Sequence, residues 1–244
     1  MGRDVIRRVL VAGVLVVCLG VAGATGASAQ QPTLTAEDYG QWERLGAFQL
    51  DPTGAWLVVS VSRVDGDAEL QLHRADGQGE PIVLTHGRSP EFSADGRWLV
   101  YRKSVSVEEV EASEERIEDR LGIVDLKAAH DSVSFDVRRV SFRDDGQWLT
   151  ALGVPAADTV GADLIVMNPS TGARTVIGNV ADFAWQDGGH HLAATLRTAW
   201  GSANCVFLFD TESGTLSNIA SVDAEYRALD WREDSAQLAV LRSV

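Results

Sequence analysis

The sequence is poor in residues that crosslink a fold or interrupt its strands. It contains two cysteines, two methionines and six prolines among 244 residues. One cysteine, Cys18, lies in an apolar N-terminal stretch, so the rest of the chain holds only Cys205 and excludes an internal disulfide. Cys205 falls in the apolar run CVFLF, which favours a small buried strand residue over a reactive thiol. Packing and hydrogen bonds must therefore hold the fold.

Positive charge is also scarce. The chain has 21 Lys and Arg against 35 Asp and Glu, which gives a formal net charge of −14. An acidic surface repels phosphate backbones, and this argues against nucleic acid as a partner.

Long apolar runs are confined to the N-terminus, where three zones follow one another. They are basic (Arg3, Arg7 and Arg8), apolar (residues 9–24) and a small-residue cleavage site (Ala27-Ser28-Ala29). This order is typical of a secretory signal. The apolar stretch is shorter than the roughly 20 residues that a bilayer span would need. Residues 1–29 are therefore predicted to be a signal peptide cleaved after Ala29, which places the mature chain in the periplasm or outside the cell with no stable membrane span. An uncleaved anchor and a lipidated Cys18 are the alternatives.

An eight-residue phrase returns five times along the chain. A large apolar residue is followed four positions later by a turn residue and seven positions later by leucine. The copies are LDPTGAWL (50–57), FSADGRWL (92–99), FRDDGQWL (142–149), WQDGGHHL (185–192) and WREDSAQL (231–238). Their turn residues, Gly54, Gly96, Gly146, Gly189 and Ser235, are 42, 50, 43 and 46 residues apart. A four-stranded propeller blade has a period of roughly 40 to 50 residues.

The spacing predicts an all-β fold, a β-propeller with about four complete four-stranded blades and the start of a fifth. Residues between the phrases alternate with the two-residue period of strands. The large apolar residue that begins each phrase is called the anchor residue. Within each phrase, the turn is expected to bring the anchor residue and the leucine onto neighbouring strands that face the adjacent blade. The predicted incomplete propeller covers 47–244, with blades at about 47–86, 88–136, 138–178, 180–221 and 225–244.

Two stretches have helical spacing instead. Residues 35–38 resemble a capping box, and Tyr39, Trp42 and Leu45 follow at helical intervals, so 30–46 is predicted to be a helical lead-in. Residues 104–120 carry seven acidic side chains around a narrow apolar stripe. They predict an amphipathic helical insertion in blade 2, whose charge run is a solvated face or, alternatively, a cation or partner site.

No catalytic motif is present in the sequence. It contains no G-x-S-x-G, H-E-x-x-H or C-x-x-C spacing. The adjacent His190 and His191 occupy the positions of Arg97 and Trp98 in the second copy, so one histidine is predicted to replace a motif tryptophan rather than bind a metal.

The paired acids at 144–145 and 233–234 fall in turns, and turn chemistry explains them. We therefore predict no catalytic, cofactor-binding or metal-binding residue and no cofactor for this chain. A site assembled around a propeller axis from several blades would leave no motif in the sequence.

The repeat carries a family resemblance. FSADGRWLVY, with LDPTGAWLVV and FRDDGQWLTAL, resembles the S-P-D-G-x-x-[LIV] repeat of the Tol-system propeller protein and of prolyl oligopeptidase-type serine peptidases. The opening LTAEDYGQWERLGAFQLDPTGAWLVV is similar to the start of secreted bacterial prolyl-oligopeptidase-like proteins. The resemblance covers residues 34–244. It implies a propeller that gates or positions peptides for a following α/β-hydrolase domain with Ser, Asp and His, and no triad residue can be transferred to this chain.

Three functional hypotheses follow from these observations. The leading one is a non-catalytic propeller segment of such a peptidase, with a peptide or protein partner on a propeller face and a catalytic hydrolase domain as its family partner. The second is a periplasmic Tol-like interaction scaffold, and the third a compact five-bladed enzyme closed by its N-terminal segment.

Cleavage of the signal removes three Arg and one Asp, which changes the net charge from −14 to −16. The open strand edges and the uncovered apolar blade face expected at the C-terminal end nevertheless predict self-association.

Overall fold

The computed structural model describes residues 35, 40, 42–64, 68–113, 117–157, 159–198, 203–222 and 224–243. The chain divides into two compact units, Met1–Tyr39 and Gly40–Val244, and every strand described below belongs to the second. The predicted signal peptide at 1–29 lies outside the described residues.

The first two blades are separate four-stranded antiparallel meanders. Blade 1 consists of β1 (Glu43–Leu50), β2 (Trp56–Arg63), β3 (Glu69–Arg74) and β4 (Ile82–Thr85). Blade 2 consists of β5 (Gly87–Phe92), β6 (Trp98–Lys103), β7 (Arg120–Asp125) and β8 (His130–Asp136). Because each strand pairs with its neighbour in sequence, every connection within a blade is local.

Blades 3 and 4 form one continuous seven-stranded sheet. Its strands are β9 (Arg139–Phe142), β10 (Leu149–Leu152), β11 (Ala162–Met167), β12 (Arg174–Trp185), β13 (His191–Leu196), β14 (Cys205–Asp210) and β15 (Leu216–Ala220). The first part of β12 pairs with β11 and the last part with β13, with a register shift between Val180 and Asp182. One strand thus serves as the outer strand of blade 3 and the inner strand of blade 4.

The last sheet of the described chain has two strands, β16 (Glu225–Trp231) and β17 (Leu238–Ser243). Four four-stranded blades followed by two strands of a fifth confirm the predicted fold class.

The repeated phrase forms the hairpin between the first two strands of every blade. Its first and eighth residues are cross-strand partners in all five copies: Leu50 and Leu57, Phe92 and Leu99, Phe142 and Leu149, Trp185 and Leu192, Trp231 and Leu238. In each copy the amide of the second residue donates to the carbonyl of the seventh, as from Asp51 to Trp56 at 2.9 Å. The phrase is therefore one local hydrogen-bonded unit.

The left-handed residue of the turn differs among the copies. It is the predicted glycine in the first three, Gly54, Gly96 and Gly146, with φ of 73°, 66° and 74°. In the last two copies it is Gly188 (φ 60°) and Asp234 (φ 53°), one position before Gly189 and Ser235, which lie in their turns as predicted. Aspartate tolerates this conformation better than most residues. Because Asp234 is the left-handed residue, position 235 needs no glycine and can be serine.

Among the described residues, the core consists of three apolar clusters, each between two successive blades. One joins blade 1 to blade 2, one blade 2 to blade 3, and one blade 3 to blade 4. The phrase leucines Leu99, Leu149 and Leu192 belong to these clusters and have no exposed surface. These three leucines confirm the expectation that phrase residues face the adjacent blade, whereas Leu50 in the first copy is 53% exposed.

The helical lead-in is wrong at its C-terminal end. Glu43, Arg44 and Leu45 belong to β1 and pair with β2 from Arg63 to Val61. Cross-strand pairing therefore overrides the helical spacing that joins Leu45 to Trp42. Residues 36–39 and 41, where the rest of the predicted helix falls, lie outside the described residues.

We expect Leu149→Ala to lower the free energy of unfolding by about 2–5 kcal/mol, because it opens a cavity between blades 2 and 3. Chemical denaturation of the folded chain measures the change. Leu216→Ala is the matched control, since Leu216 is 44% exposed, and it should alter stability far less. Equal losses in the two variants would contradict the interblade role of the phrase leucine.

We expect the isolated chain to self-associate through blade 1. Every residue of β1 is exposed, including Leu45 at 71% and Phe48 at 76%, and such apolar strand surface invites pairing with another chain. Light scattering across a concentration series should show association that decreases in Phe48→Ser. The control Val176→Ser, which changes a β12 side chain that is 52% exposed, should associate like the wild type. A wild-type chain that stays monomeric at high concentration would refute this.

Candidate functional site

The meander sends its connections to two opposite ends of the blades. One end holds the hairpins between first and second strands and between third and fourth strands, and we call it the turn face. The other end holds the connections between second and third strands and from blade to blade, and we call it the loop face. The acidic insertion of blade 2 joins β6 to β7 and therefore lies on the loop face.

The insertion contains a short helix, α1 (Val107–Ala112). Ser106 caps it, since its hydroxyl accepts from the Glu109 amide at 3.2 Å while the Glu109 carboxylate accepts from the Ser106 amide at 3.0 Å. This reciprocal pair is a capping box, and the Ser106 amide lowers the pKa of Glu109. A helical insertion is confirmed. Its helix α1 is six residues long, because residue 113 already has an extended backbone.

Asp119 fastens the C-terminal end of the insertion to blade 2. Its side chain is 12% exposed, pairs with the Arg88 guanidinium and accepts a hydrogen bond from the Ser104 hydroxyl at 3.1 Å. Its carbonyl accepts from the Val137 amide at 2.9 Å, while the Ser104 amide donates to the His86 carbonyl at 2.9 Å. The insertion is thus held at both ends by the adjoining blade connections.

A groove of about 1010 Å³ lies between the insertion and the ends of the strands. Lys103 and Arg120, which are cross-strand partners, supply two cations at one side. Glu108 and Glu109 of α1 supply two anions at the other. Apolar lining comes from residues that include Ile117 and Val133. The groove has the volume and mixed lining of a ligand site.

Arginines on the loop face link successive blades. Arg102 donates to the Arg138 carbonyl at 2.5 Å, and Arg138 donates to the Ala181 carbonyl at 3.4 Å. Arg139 pairs with Asp182 at 2.8 Å, and Arg197 pairs with Glu225 at 2.7 Å. These guanidinium groups are engaged by the next blade, whereas the groove cation Arg120 pairs with Asp136 of its own blade at 3.7 Å.

Hairpin turns contact one another on the turn face in a way that the motif alone did not reveal. A Cβ on Gly96 would lie 2.9 Å from Asp51 Oδ2, and one on Gly146 would lie 2.8 Å from the Ala94 amide nitrogen. The Gly188 amide donates to Asp144 at 2.7 Å. Each turn therefore lies against the turn of the preceding blade.

The change of anchor residue from Phe to Trp also has an interblade role. The Trp185 indole donates to the Thr150 hydroxyl at 3.3 Å, and the Trp231 indole donates to the Ala184 carbonyl at 3.0 Å. Both bonds cross to the preceding blade. The appearance of an indole donor at the first phrase position was the available sequence signal for this contact.

The residues discussed from sequence lie mostly where they were expected. Cys205 begins β14, is 6% exposed and has its thiol pKa raised by burial, which confirms a buried strand residue. His191 occupies the position of the motif tryptophan, with Nδ1 at 2.7 Å from Gln186 Oε1. Asp145 takes part in turn chemistry, since the Arg143 guanidinium lowers its pKa and the Gln147 amide donates to it at 3.0 Å.

No protein-family model and no curated protein matches the sequence. Solved structures show its fold class. A structure of the eukaryotic initiation factor aligns with a TM-score of 0.54 and 13% identity over 91% of this chain and 53% of the other. The chain is a β-propeller protein.

Two further structures align more loosely. The β-propeller domain of the Trilobed protease from Pyrococcus furiosus has a TM-score of 0.46 and 11% identity over 83% of this chain and 69% of that one. A prolyl endopeptidase structure has a TM-score of 0.47 and 16% identity over 84% of this chain and 33% of that one. The described residues contain no helix long and apolar enough to span a bilayer.

We expect Asp119→Asn to loosen the insertion while leaving the blades folded. The change removes the charge that the Arg88 guanidinium pairs with, and losing a charged hydrogen bond costs about 1.5–3 kcal/mol. Local opening should therefore rise about tenfold or more, measured as faster hydrogen exchange or proteolysis within residues 104–119.

Asp136→Asn is the control for this change. Its ion pair with Arg120 is 3.7 Å long, with side chains 58% and 61% exposed, and such pairs contribute little. Unchanged exchange in Asp119→Asn would show that the side chain does not hold the insertion.

Proposed function

We propose that this chain is the non-catalytic propeller segment of a secreted prolyl-oligopeptidase-like serine peptidase, and that its loop-face groove positions peptides for a hydrolase domain. The observation that carries the proposal is the groove between the anchored insertion and the Lys103–Arg120 strand ends. The opening DYGQWERL and the five phrases support the same family.

The groove has complementary chemistry for a short peptide. The two cations suit a terminal carboxylate or an acidic side chain, while the two glutamates of α1 suit a terminal ammonium or a basic side chain. Ile117 and Val133 add apolar lining to the same groove. A peptide would therefore bind with a preferred direction, which is what delivery to a separate catalytic centre requires.

Catalysis in this proposal belongs to the hydrolase domain. The propeller contributes binding energy and orientation, and it restricts which peptides arrive at the nucleophile. The signal-like N-terminus supports secretion, with the mature protein in the periplasm or outside the cell.

Fluorescence anisotropy with short labelled proline-containing peptides tests the groove. Lys103→Ala combined with Arg120→Ala should weaken binding of a peptide with a free C-terminal carboxylate about tenfold or more, because two cations beside the anion are lost. The same peptide with an amidated C-terminus should be affected much less. Lys127→Ala, on an exposed turn-face residue, is the matched control and should bind like the wild type.

Absence of peptide binding in the wild type, or an equal loss in Lys127→Ala, would contradict the groove assignment. The family assignment has a separate test in the genomic sequence after codon 244. An α/β-hydrolase with a G-x-S-x-G elbow is expected there in frame. A long unrelated stretch, together with capture of a stable cell-envelope protein by the propeller, would instead favour the Tol-like scaffold.

A further inference from the structure

Two histidines and an aspartate meet on the turn face of blade 4, away from the loop-face groove. His191 on β13 and Asp210 on β14 are cross-strand partners, and His190 directly precedes β13. One ligating atom from each of the three side chains lies within 4.8 Å of the others. All three residues are half-buried. Imidazole and carboxylate are the ligands of borderline divalent metals such as Zn²⁺.

The distances require only a small adjustment to bind an ion. His190 Nε2 lies 3.9 Å from Asp210 Oδ1, and the two imidazole rings have centroids 4.2 Å apart. Ligand atoms of a tetrahedral zinc site are about 3.3 Å apart, given bonds of about 2.0–2.1 Å. The His190 side chain is 40% exposed, so it can rotate closer to Asp210 and His191.

The backbone on both sides of the cluster is fixed. The Thr211 amide and hydroxyl donate to the His190 carbonyl at 3.1 and 2.8 Å, and Arg143 donates to the same hydroxyl at 2.6 Å. Asp210 accepts from the Glu212 amide at 2.9 Å and from the Ser213 hydroxyl at 2.7 Å. These donors orient the Asp210 carboxylate while leaving lone pairs available to a cation.

Gln186 orients the second imidazole. Its Oε1 lies 2.7 Å from His191 Nδ1, which assigns the proton to Nδ1 and leaves Nε2 as the ligating nitrogen. The side-chain Nε2 of Gln186 in turn donates to the Ser235 carbonyl at 3.3 Å. Gly189 makes room for this arrangement, because a Cβ there would collide with the Gln186 side chain.

The local charge balance favours a cation. A cavity of about 430 Å³ beside His190 is lined by Asp144, Asp145 and Glu212. Its one arginine, Arg143, is paired with Asp145. Glu212 Oε1 lies 4.0 Å from His190 Nδ1, and its side chain is 75% exposed, so it is free to swing toward an ion.

We propose that His190, His191 and Asp210 bind one Zn²⁺ ion, with Glu212 or water in the fourth position. The ion crosslinks the β13–β14 hairpin and, through Gln186 and Ser235, reinforces the contact of blade 4 with the last sheet. This site is independent of the peptide groove and of the function proposed for it.

Zinc binding by the untagged full chain tests the site. Equilibrium dialysis against ZnCl₂ with metal analysis should give one tightly bound Zn²⁺ per chain, and calorimetric unfolding should show a higher Tm with Zn²⁺. Co²⁺ in place of Zn²⁺ should give the visible absorption of a four-coordinate site. His190→Ala and Asp210→Asn should each weaken binding at least tenfold and abolish the Tm increase.

His130→Ala is the matched control, because His130 is an exposed histidine at the start of β8, and it should bind like the wild type. Circular dichroism of each variant confirms that the blades remain folded. Failure of the wild type to bind Zn²⁺, or binding that His190→Ala and Asp210→Asn leave intact, overturns the proposal.

Gln186→Met separates positioning from ligation. It retains the length of the side chain but removes the acceptor for His191 Nδ1, so Zn²⁺ affinity should fall about tenfold or more while the stoichiometry remains one. An affinity equal to that of the wild type would show that Gln186 does not orient the imidazole.

Discussion

The structure depends on one repeated hairpin whose first and last residues are cross-strand partners and whose turn lies against the preceding hairpin. The phrase leucine fills the space between two blades, as Leu149 does without exposed surface. The turn can approach its neighbour closely only where a side chain is missing, as at Gly96 and Gly146. Apolar burial and backbone approach thus act together, and each blade orients the next.

The two ends of the blades differ in their connections and in the contacts that these make. On the turn face, short hairpins contact one another, and their side chains are mostly used in local hydrogen bonds. On the loop face, the connections between the second and third strands of blades 2 to 4 are longer, and arginines link one blade to the next. Blade 2 adds an insertion there without disturbing its strands, because Asp119 and the Ser106 cap hold the segment at its ends. A propeller can therefore vary its binding surface while its core stays constant.

The two candidate sites differ in how they are built. The loop-face groove combines side chains from an insertion with side chains at strand ends, and its lining carries both signs of charge. The His190, His191 and Asp210 cluster lies on two paired strands within one blade. Its atoms are close enough for a single ion. Binding at one site needs no movement at the other, since the two lie on opposite ends of the blades.

Local chemistry in the sequence determined the strands, the blade period and the five hairpins, because apolar spacing and turn residues act within eight positions. It also indicated that Cys205 is buried and that one of the two adjacent histidines replaces a tryptophan. Only the tertiary structure decided which residue of the fourth turn is left-handed, since the Gly188 amide is engaged by Asp144 of the preceding turn. It likewise placed Leu45 in a strand, where pairing with β2 outweighs helical spacing. The groove and the histidine–aspartate cluster join residues up to 48 positions apart, and only the packed blades bring such residues within reach of one ligand.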